Sequence, residues 1–225
     1  MLAENIARVE ERIVKACARA GRQRSEVTLV AVTKKFPSAA ILDAYTLGMR
    51  DFGENYVQEF ELKSPEVAHL TDARFHFIGH LQANKTRKAA ELFHVLETVD
   101  SAKIARRLNE VEVAKPLDIY LEVKLSDEEA KSGADPTELP ELIAAVHACS
   151  SLKLRGLMTM PPWSEDAEAS RPYFVRLREL AAQHGLNELS MGMSNDFETA
   201  IEEGSTLIRV GTALFGKRPA PIKTP

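Results

Sequence analysis

The sequence contains few cysteines and no long apolar run. Cys17 and Cys149 are the only thiols in 225 residues; they lack metal-ligand spacing, and so low a count fits a reducing compartment. No stretch approaches the roughly 20 apolar residues of a membrane helix, so we expect no membrane partner. The segment 1–21 carries Glu10 and Glu11, whereas targeting peptides are poor in acids. We therefore expect a cytoplasmic protein.

An excess of positive charge is also absent. Lys and Arg number 29 against 33 Asp and Glu, for a net charge of −4, so nothing favours a nucleic-acid partner. Gly and Pro number 11 each, which is too few for a linker or a low-complexity tract. Glycine-rich nucleotide loops, G-x-S-x-G and Cys-His nucleophile patterns are missing. What is present predicts one globular domain with a substantial core.

Strand and helix patterns alternate along the chain. The run 27–33 (VTLVAVT) is continuously apolar and β-branched, which is typical of a strand covered on both faces. Eight strand-helix units of this length favour an α/β fold with a closed (β/α)8 barrel over an open sheet. We expect a single domain with an N-terminal helix over 1–21, a barrel over 27–216 and a tail over 217–225. The predicted strands are 27–33, 51–53, 74–78, 93–99, 117–123, 154–158, 189–191 and 207–210.

The segment 189–216 predicts a phosphate site. It reads as a strand, a turn, a helix and a second strand, so Ser194 and the pair Gly211-Thr212 lie in neighbouring loops after strand C-termini. Hydroxyls and backbone N–H groups that converge in such loops hold phosphates, and the last two strands of parallel barrels often build such a cup. Two ordinary turns, with Ser and Gly serving the backbone alone, are the alternative.

The helix inside that segment has its own end signals. Ser194, Asn195 and Asp196 are N-cap candidates, and Glu198 stands three residues after Asn195 in capping-box register. Gly204 is the expected left-handed residue at the helix end. The pattern therefore predicts a helix over 197–203.

Lys34 is the main chemical candidate, because it follows the first predicted strand. Active sites of parallel barrels lie at the carboxyl ends of the strands, and a partly buried lysine provides the neutral amine that forms a Schiff base. Lys35 is adjacent, and side-chain alternation lets only one of the two point inward. The sequence leaves open which one does.

Three further positions are candidates for ligand or metal contacts. Arg209 lies within the last strand, where a buried guanidinium requires either a carboxylate or a ligand ring nitrogen. Asn55 follows the second strand and is either a ligand contact or a helix cap. His76 and His80 have the i, i+4 spacing of a zinc helix, but their segment reads as a strand, so no metal is expected.

Several segments together resemble a known family. They are LVAVTK (29–34), FGENYVQE (52–59), HFIGHLQANK (76–85), GLMTM (156–160) and the whole of 189–216. Across nearly the full chain, these segments are similar to the YggS/PROSC family of pyridoxal 5′-phosphate (PLP) homeostasis proteins, which are related to the N-terminal barrel of alanine racemase.

The resemblance implies a fold-type III barrel that holds PLP as an internal aldimine on Lys34. It implies further that Ser194 and the amides of Gly211 and Thr212 hold the phosphate, that Arg209 faces the pyridine nitrogen, and that Asn55 lies near the ring. An arginine at that nitrogen does not favour its protonation, so the ring is a weaker electron sink.

Two departures from the family patterns bear on function. The usual V-N-x-S reads Val123-Lys124-Leu125-Ser126 here, so a role that depends on that asparagine is not expected. Alanine racemase also has a β-rich domain with a catalytic tyrosine, and we expect no such domain in a chain that ends at Pro225. Lys34 therefore has no convincing second acid/base partner, which racemisation requires.

We accordingly expect a monomeric carrier that holds PLP and delivers it to PLP-dependent apoenzymes, without turnover of its own. A small racemase-like PLP enzyme is one alternative. A Schiff-base aldolase acting on a sugar phosphate is another, since it would also use a lysine and a phosphate cup.

Overall fold

Eight parallel strands form a closed barrel in the structure, a computed structural model that describes residues 1–126 and 132–217. Each strand pairs with the next along the chain, and the last pairs with the first. The predicted (β/α)8 architecture is confirmed. The strands are β1 Thr28–Val32, β2 Asp51–Glu54, β3 Arg74–Phe77, β4 Val95–Val99, β5 Leu117–Glu122, β6 Leu152–Met158, β7 Glu188–Met193 and β8 Leu207–Val210.

Helices cover the outside of the barrel and follow the strands in alternation. Among the described helices, α1 lies outside the simple repeat because it precedes the barrel, whereas α2 to α9 each follow one strand. The described helices are α1 Leu2–Arg19, α2 Ser38–Thr46, α3 Val57–Val67, α4 Thr86–Leu92, α5 Ala102–Asn109, α6 Leu139–His147, α7 Arg171–Gln183, α8 Phe197–Glu202 and α9 Thr212–Phe215.

The barrel interior is divided between an apolar and a polar part. A small apolar cluster inside the barrel contains Val30, Val95, Tyr120, Met158 and Leu207, all buried. The larger core lies between the strands and the helices. Charged side chains also point into the barrel, since Glu97, Glu122 and Arg209 are each at most 3% exposed. Arg209 and Glu122 line the cavities described below.

Helix α1 packs against α8 and α9. Val9, Ile13 and Ala16 form its buried face, as expected for an amphipathic helix on a barrel. Asn5 Nδ2 donates to Leu214 O at 2.7 Å, which ties α1 to α9. The N-terminal helix thus supports the elements that follow β7 and β8.

Strand β7 is longer than predicted. The sequence pattern ended the strand at Met191, with a turn at Gly192, but β7 continues to Met193. Gly192 has φ +97°, and the pairing with β8 shifts register between Ser190 and Met193, which is a β-bulge. The strand bends there instead of ending.

Helix α3 also extends beyond its predicted end at Leu62, and it contains Pro65. Proline has no N–H to donate to the carbonyl four residues earlier. Ser64 Oγ donates to that carbonyl, Glu61 O, at 3.1 Å instead. The side-chain hydrogen bond lets the helix pass the proline.

The predicted capping box of α8 is wrong. Asn195 Nδ2 donates to Ser164 O at 2.9 Å, and Glu198 pairs with Arg12 of α1 at 2.8 Å. Tertiary partners therefore occupy both side chains. Gly204 has φ +97° at the end of this helix, as predicted.

Two other predictions concern the ends and loops of the chain. Of the predicted tail 217–225, residues 218–225 lie outside the described residues, as do residues 127–131 between β5 and α6. No described helix combines the length and the apolar character that a membrane span requires.

Candidate functional site

A cavity of about 320 Å³ opens at the carboxyl ends of the strands, and we name it the main cavity. Loops after β1, β2, β6, β7 and β8 contribute to its wall. All six predicted ligand-binding residues line it, although they come from distant parts of the sequence. They are Lys34, Asn55, Ser194, Arg209, Gly211 and Thr212.

Lys34 is the lysine that lines the main cavity, whereas Lys35 is exposed. The chain turns at this point, with the N–H of Phe36 bonded to Thr33 O at 3.0 Å. Lys35 adopts φ +64°, an unusual conformation for a residue with a side chain. Its N–H donates to Glu59 Oε1 at 2.5 Å, which holds the turn. The inward direction that the sequence left open is therefore that of Lys34.

A buried ion network lies next to this turn, and sequence reasoning missed it. Lys63 Nζ donates to Thr33 O at 3.1 Å, to Glu54 Oε1 at 2.8 Å and to Glu59 Oε1 at 2.6 Å. Thr33 Oγ1 donates to the same Glu54 oxygen at 2.7 Å. Burial raises the pKa of Glu54, partly offset by Lys63. These bonds fix the backbone on both sides of Lys34; a glutamate inside strand β2 was the available signal.

Asn55 has a buried oxygen with no hydrogen-bond partner among the described residues, Oδ1. The N-cap position of α3 belongs to Tyr56, so Asn55 is not the cap. Gly79 allows its backbone to lie close, because a Cβ there would be 2.1 Å from Asn55 O. An unpaired buried amide oxygen costs about 1–3 kcal/mol, so a bound donor would remove that cost.

Arg209 is buried and reaches the main cavity from inside β8. Its Nη2 donates to Thr159 O at 2.9 Å, and its Nη1 donates to Ser190 Oγ. Glu97 Oε2 lies 3.7 Å from Nη1 and supplies the countercharge. Burial lowers the pKa of Arg209, and Glu97 opposes that effect. Of the two predicted partners, the carboxylate is present, and the cavity position leaves room for a ligand as well.

His76 belongs to this polar interior. Its Nδ1 lies 2.7 Å from Glu97 Oε1 and its Nε2 2.9 Å from Asp51 Oδ1. Burial acts to lower the pKa of His76, but the two carboxylates outweigh it and raise that pKa. Because both ring nitrogens are used, His76 does not pair with His80 as a metal ligand. No group of three metal-binding side chains occurs in residues 1–126 and 132–217.

Ser194 joins the loops after β7 and β8. Its Oγ accepts the N–H groups of Gly211 at 3.3 Å and of Ala213 at 3.2 Å. Asp196 holds the same loop, since its Oδ1 accepts from Met193 N at 2.7 Å. Hydroxyl and amide groups from two loops thus converge, as the sequence predicted. The amide of Ala213 was not predicted.

Trp163 and Met160 also line the main cavity. They follow β6, and the sequence pattern gave them no role in a site, since methionine is an ordinary core residue. Trp163 is 77% exposed, and it is the only tryptophan of the sequence. Its fluorescence therefore reports directly on this cavity.

Together these groups match one kind of ligand. A lysine amine reacts with an aldehyde, and converging N–H and hydroxyl groups suit a phosphate. A buried guanidinium can donate to a ring nitrogen, and the unpaired oxygen of Asn55 can accept from a bound donor. The residues therefore fit a planar heterocyclic aldehyde that carries a phosphate.

The barrel and its lysine-bearing cavity define a protein of the alanine racemase N-terminal domain class. The family model described as "Alanine racemase, N-terminal domain" matches residues 5–219. The alanine racemase of Corynebacterium glutamicum shares the fold at 18% identity, with a TM-score of 0.69 over 99% of this chain and 63% of the racemase.

Much closer relatives exist within this class. The pyridoxal phosphate homeostasis protein of Pseudomonas aeruginosa is 49% identical over 96% of both chains. The structure of PipY of Synechococcus elongatus with PLP bound is 38% identical, with a TM-score of 0.84 over 96% of this chain and 100% of that one. The chain belongs to the family of pyridoxal phosphate homeostasis proteins.

Proposed function

We propose that this protein binds PLP in the main cavity as a Schiff base with Lys34 and serves as a reservoir and donor of the cofactor. The observation that carries the proposal is the convergence of Lys34 with Arg209, Asn55 and the Ser194 loop in one cavity. PLP bound to the relative PipY supports the ligand. The name of the Pseudomonas aeruginosa relative supports the homeostatic role.

Each residue has a distinct part in this proposal. The amine of Lys34 forms the covalent bond, while Ser194 and the Gly211 and Thr212 amides hold the phosphate. The Gly211 N–H exchanges its 3.3 Å hydrogen bond to Ser194 Oγ for one to the phosphate. Arg209 donates to the pyridine nitrogen. Its guanidinium keeps its positive charge, because the carboxylate of Glu97 lies 3.7 Å away and supplies the countercharge. A ring nitrogen that accepts from a guanidinium is not protonated, which limits carbanion chemistry.

We also propose that the protein does not turn over an amino-acid substrate. Racemisation needs an acid/base group on each face of the substrate. Besides Lys34 and Arg209, Asp196 is the titratable residue among the described residues that line the main cavity. Its oxygens accept from Met193 N at 2.7 Å and Ser170 Oγ at 2.8 Å, so it is committed to the loop.

We also propose that the protein is cytoplasmic and monomeric, and that PLP-dependent apoenzymes receive its cofactor. The free thiols of Cys17 and Cys149 fit a reducing compartment. Transfer is testable by mixing the loaded protein with a PLP-dependent apoenzyme and following the activity that returns.

Borohydride reduction and peptide mapping test the anchor. After incubation with PLP, the parent and the Lys35→Arg variant should carry a phosphopyridoxyl group on Lys34, and the Lys34→Arg variant should carry none. The two exchanges are matched, because each removes one amine and keeps its charge. A reduced adduct on any other lysine in the Lys34→Arg variant would contradict the assignment. Conversion of D-alanine or L-alanine by the loaded protein would instead favour the racemase-like alternative.

A further inference from the structure

A second cavity of about 530 Å³ adjoins the main cavity at the barrel mouth, and we name it the side cavity. The two share Asn55, Met160 and Trp163 as walls. Glu122 and Lys124 line the side cavity but not the main cavity. Neither Glu122 nor Lys124 has a role in the proposed binding of PLP.

Glu122 is buried with an unpaired oxygen. Its side chain ends β5 and is 2% exposed, and Oε2 has no hydrogen-bond partner among the described residues. Burial and the nearby Asp100 raise the pKa of Glu122 to about 7. Burying an unpaired carboxyl group is unfavourable, and a bound cation with several N–H donors would satisfy it.

Lys124 follows Glu122 by two residues, so the two side chains project to the same face of the extended chain. Both line the side cavity, which thus presents a carboxyl group and an ammonium group. The lining also includes apolar side chains, among them Met160 and Trp163. This combination is complementary to a ligand with an ammonium, a carboxylate and an apolar side chain.

We propose that the side cavity binds a small zwitterion of the amino-acid class, with its ammonium on Glu122 and its carboxylate on Lys124. The site goes beyond the proposed function, because it takes a second ligand next to the cofactor. An amine held there lies in a cavity that shares walls with the one that contains Lys34.

Calorimetry on the cofactor-free full chain tests the proposal with three probes. L-leucine carries both charges, isopentylamine carries only the ammonium, and 4-methylpentanoate carries only the carboxylate. Leucine should bind most tightly. The Glu122→Gln variant should lose at least about tenfold in affinity for leucine and isopentylamine and bind 4-methylpentanoate as the parent does. The Lys124→Asn variant should lose affinity for leucine and 4-methylpentanoate and bind isopentylamine as the parent does.

Glu141→Gln, an exposed position on α6, is the matched control and should bind all three probes like the parent. No detectable binding of leucine to the parent, or equal binding by all variants, would overturn the proposal. PLP binding is measured separately by quenching of Trp163. If the parent binds leucine but not PLP, the proposed function alone is contradicted. If the parent binds PLP but not leucine, the side-cavity proposal alone is contradicted.

Discussion

At the scale of single residues, the proposed phosphate cup depends on a few hydrogen-bond donors. Ser194 Oγ already accepts from two backbone amides, so its proton points away from them and is the hydrogen that Ser194 can donate to a ligand in the cavity it lines. Thr212 is exposed at the cavity edge. Hydrogen bonds to a charged group contribute about 1.5–3 kcal/mol each, which makes these two hydroxyls the sensitive points of cofactor retention.

The double variant Ser194→Ala, Thr212→Ala should therefore bind PLP at least about tenfold more weakly than the parent. Titration of Trp163 fluorescence with PLP measures the change, since this sole tryptophan lines the cavity. Thr46→Ala, an exposed exchange on α2, should leave the affinity unchanged. An unchanged affinity in the double variant would mean that the phosphate lies elsewhere.

The positions of the candidate site residues were predictable where a short motif carried them. Lys34 and Ser194 stand at strand ends that the sequence pattern identified, so their approach in space followed from the barrel. Lys63 and Glu122 were not predictable in the same way. Lys63 matters because it donates to Glu54 at 2.8 Å and to the carbonyl of Thr33, 30 residues away, at 3.1 Å. Glu122 matters because its Oε2 is unpaired among the described residues. Neither fact follows from a short motif.

At the scale of elements, the strands were predicted better than their ends. Strand β8 matches its predicted residues because its apolar run is bounded by a turn and Gly211. Strand β7 continues past Gly192 because a bulge, and not a turn, accommodates its φ of +97°. Glycine permits either outcome, and only the pairing with β8 decides between them. The predicted capping box of α8 is wrong for a similar reason, because Glu198 pairs with Arg12 of α1 instead.

Helix α1 gives a prediction at this scale, because it packs on the elements that carry the proposed phosphate cup. Ile13 is fully buried in that contact, and Val14 next to it is 50% exposed. Ile13→Ala should lower the free energy of unfolding by about 2–5 kcal/mol through lost contacts and the cavity left behind.

Urea denaturation measures this loss, and Val14→Ala on the same helix is the control, with an expected change of less than about 1 kcal/mol. Equal stabilities of the two variants would show that α1 contributes little to the fold. A change in PLP affinity in Ile13→Ala alone would show in addition that α1 positions the loops after β7 and β8.

At the scale of the whole molecule, the barrel encloses charges that a purely apolar interior would avoid. Asp51, His76, Glu97, Ser190 and Arg209 form a continuous polar chain through the barrel. Charges in this chain are paired, and removing one partner of such a pair is strongly destabilising. Glu122 differs, because its carboxyl has an oxygen without a partner among the described residues and its pKa is raised.

This difference predicts how stability depends on pH. A glutamate in the unfolded chain titrates near its ordinary pKa of 4.5, whereas Glu122 in the folded protein titrates at about 7. Between these values the folded state holds a proton that the unfolded state has lost, so the free energy of unfolding falls as pH rises through this window. The full contribution is about 3 kcal/mol, and glutamine at this position removes it.

Glu122→Gln should therefore gain up to about 3 kcal/mol over the parent between about pH 4.5 and pH 8, measured by urea denaturation across that range. The raised pKa of His76 lowers the stability of both proteins as pH rises and cancels in the difference. Glu141→Gln, with the same charge change on the surface, should follow the parent at every pH. If the Glu122→Gln difference were constant with pH, the carboxyl would already be paired or hydrated in the free protein, and the argument for a cation on Glu122 would fail with it.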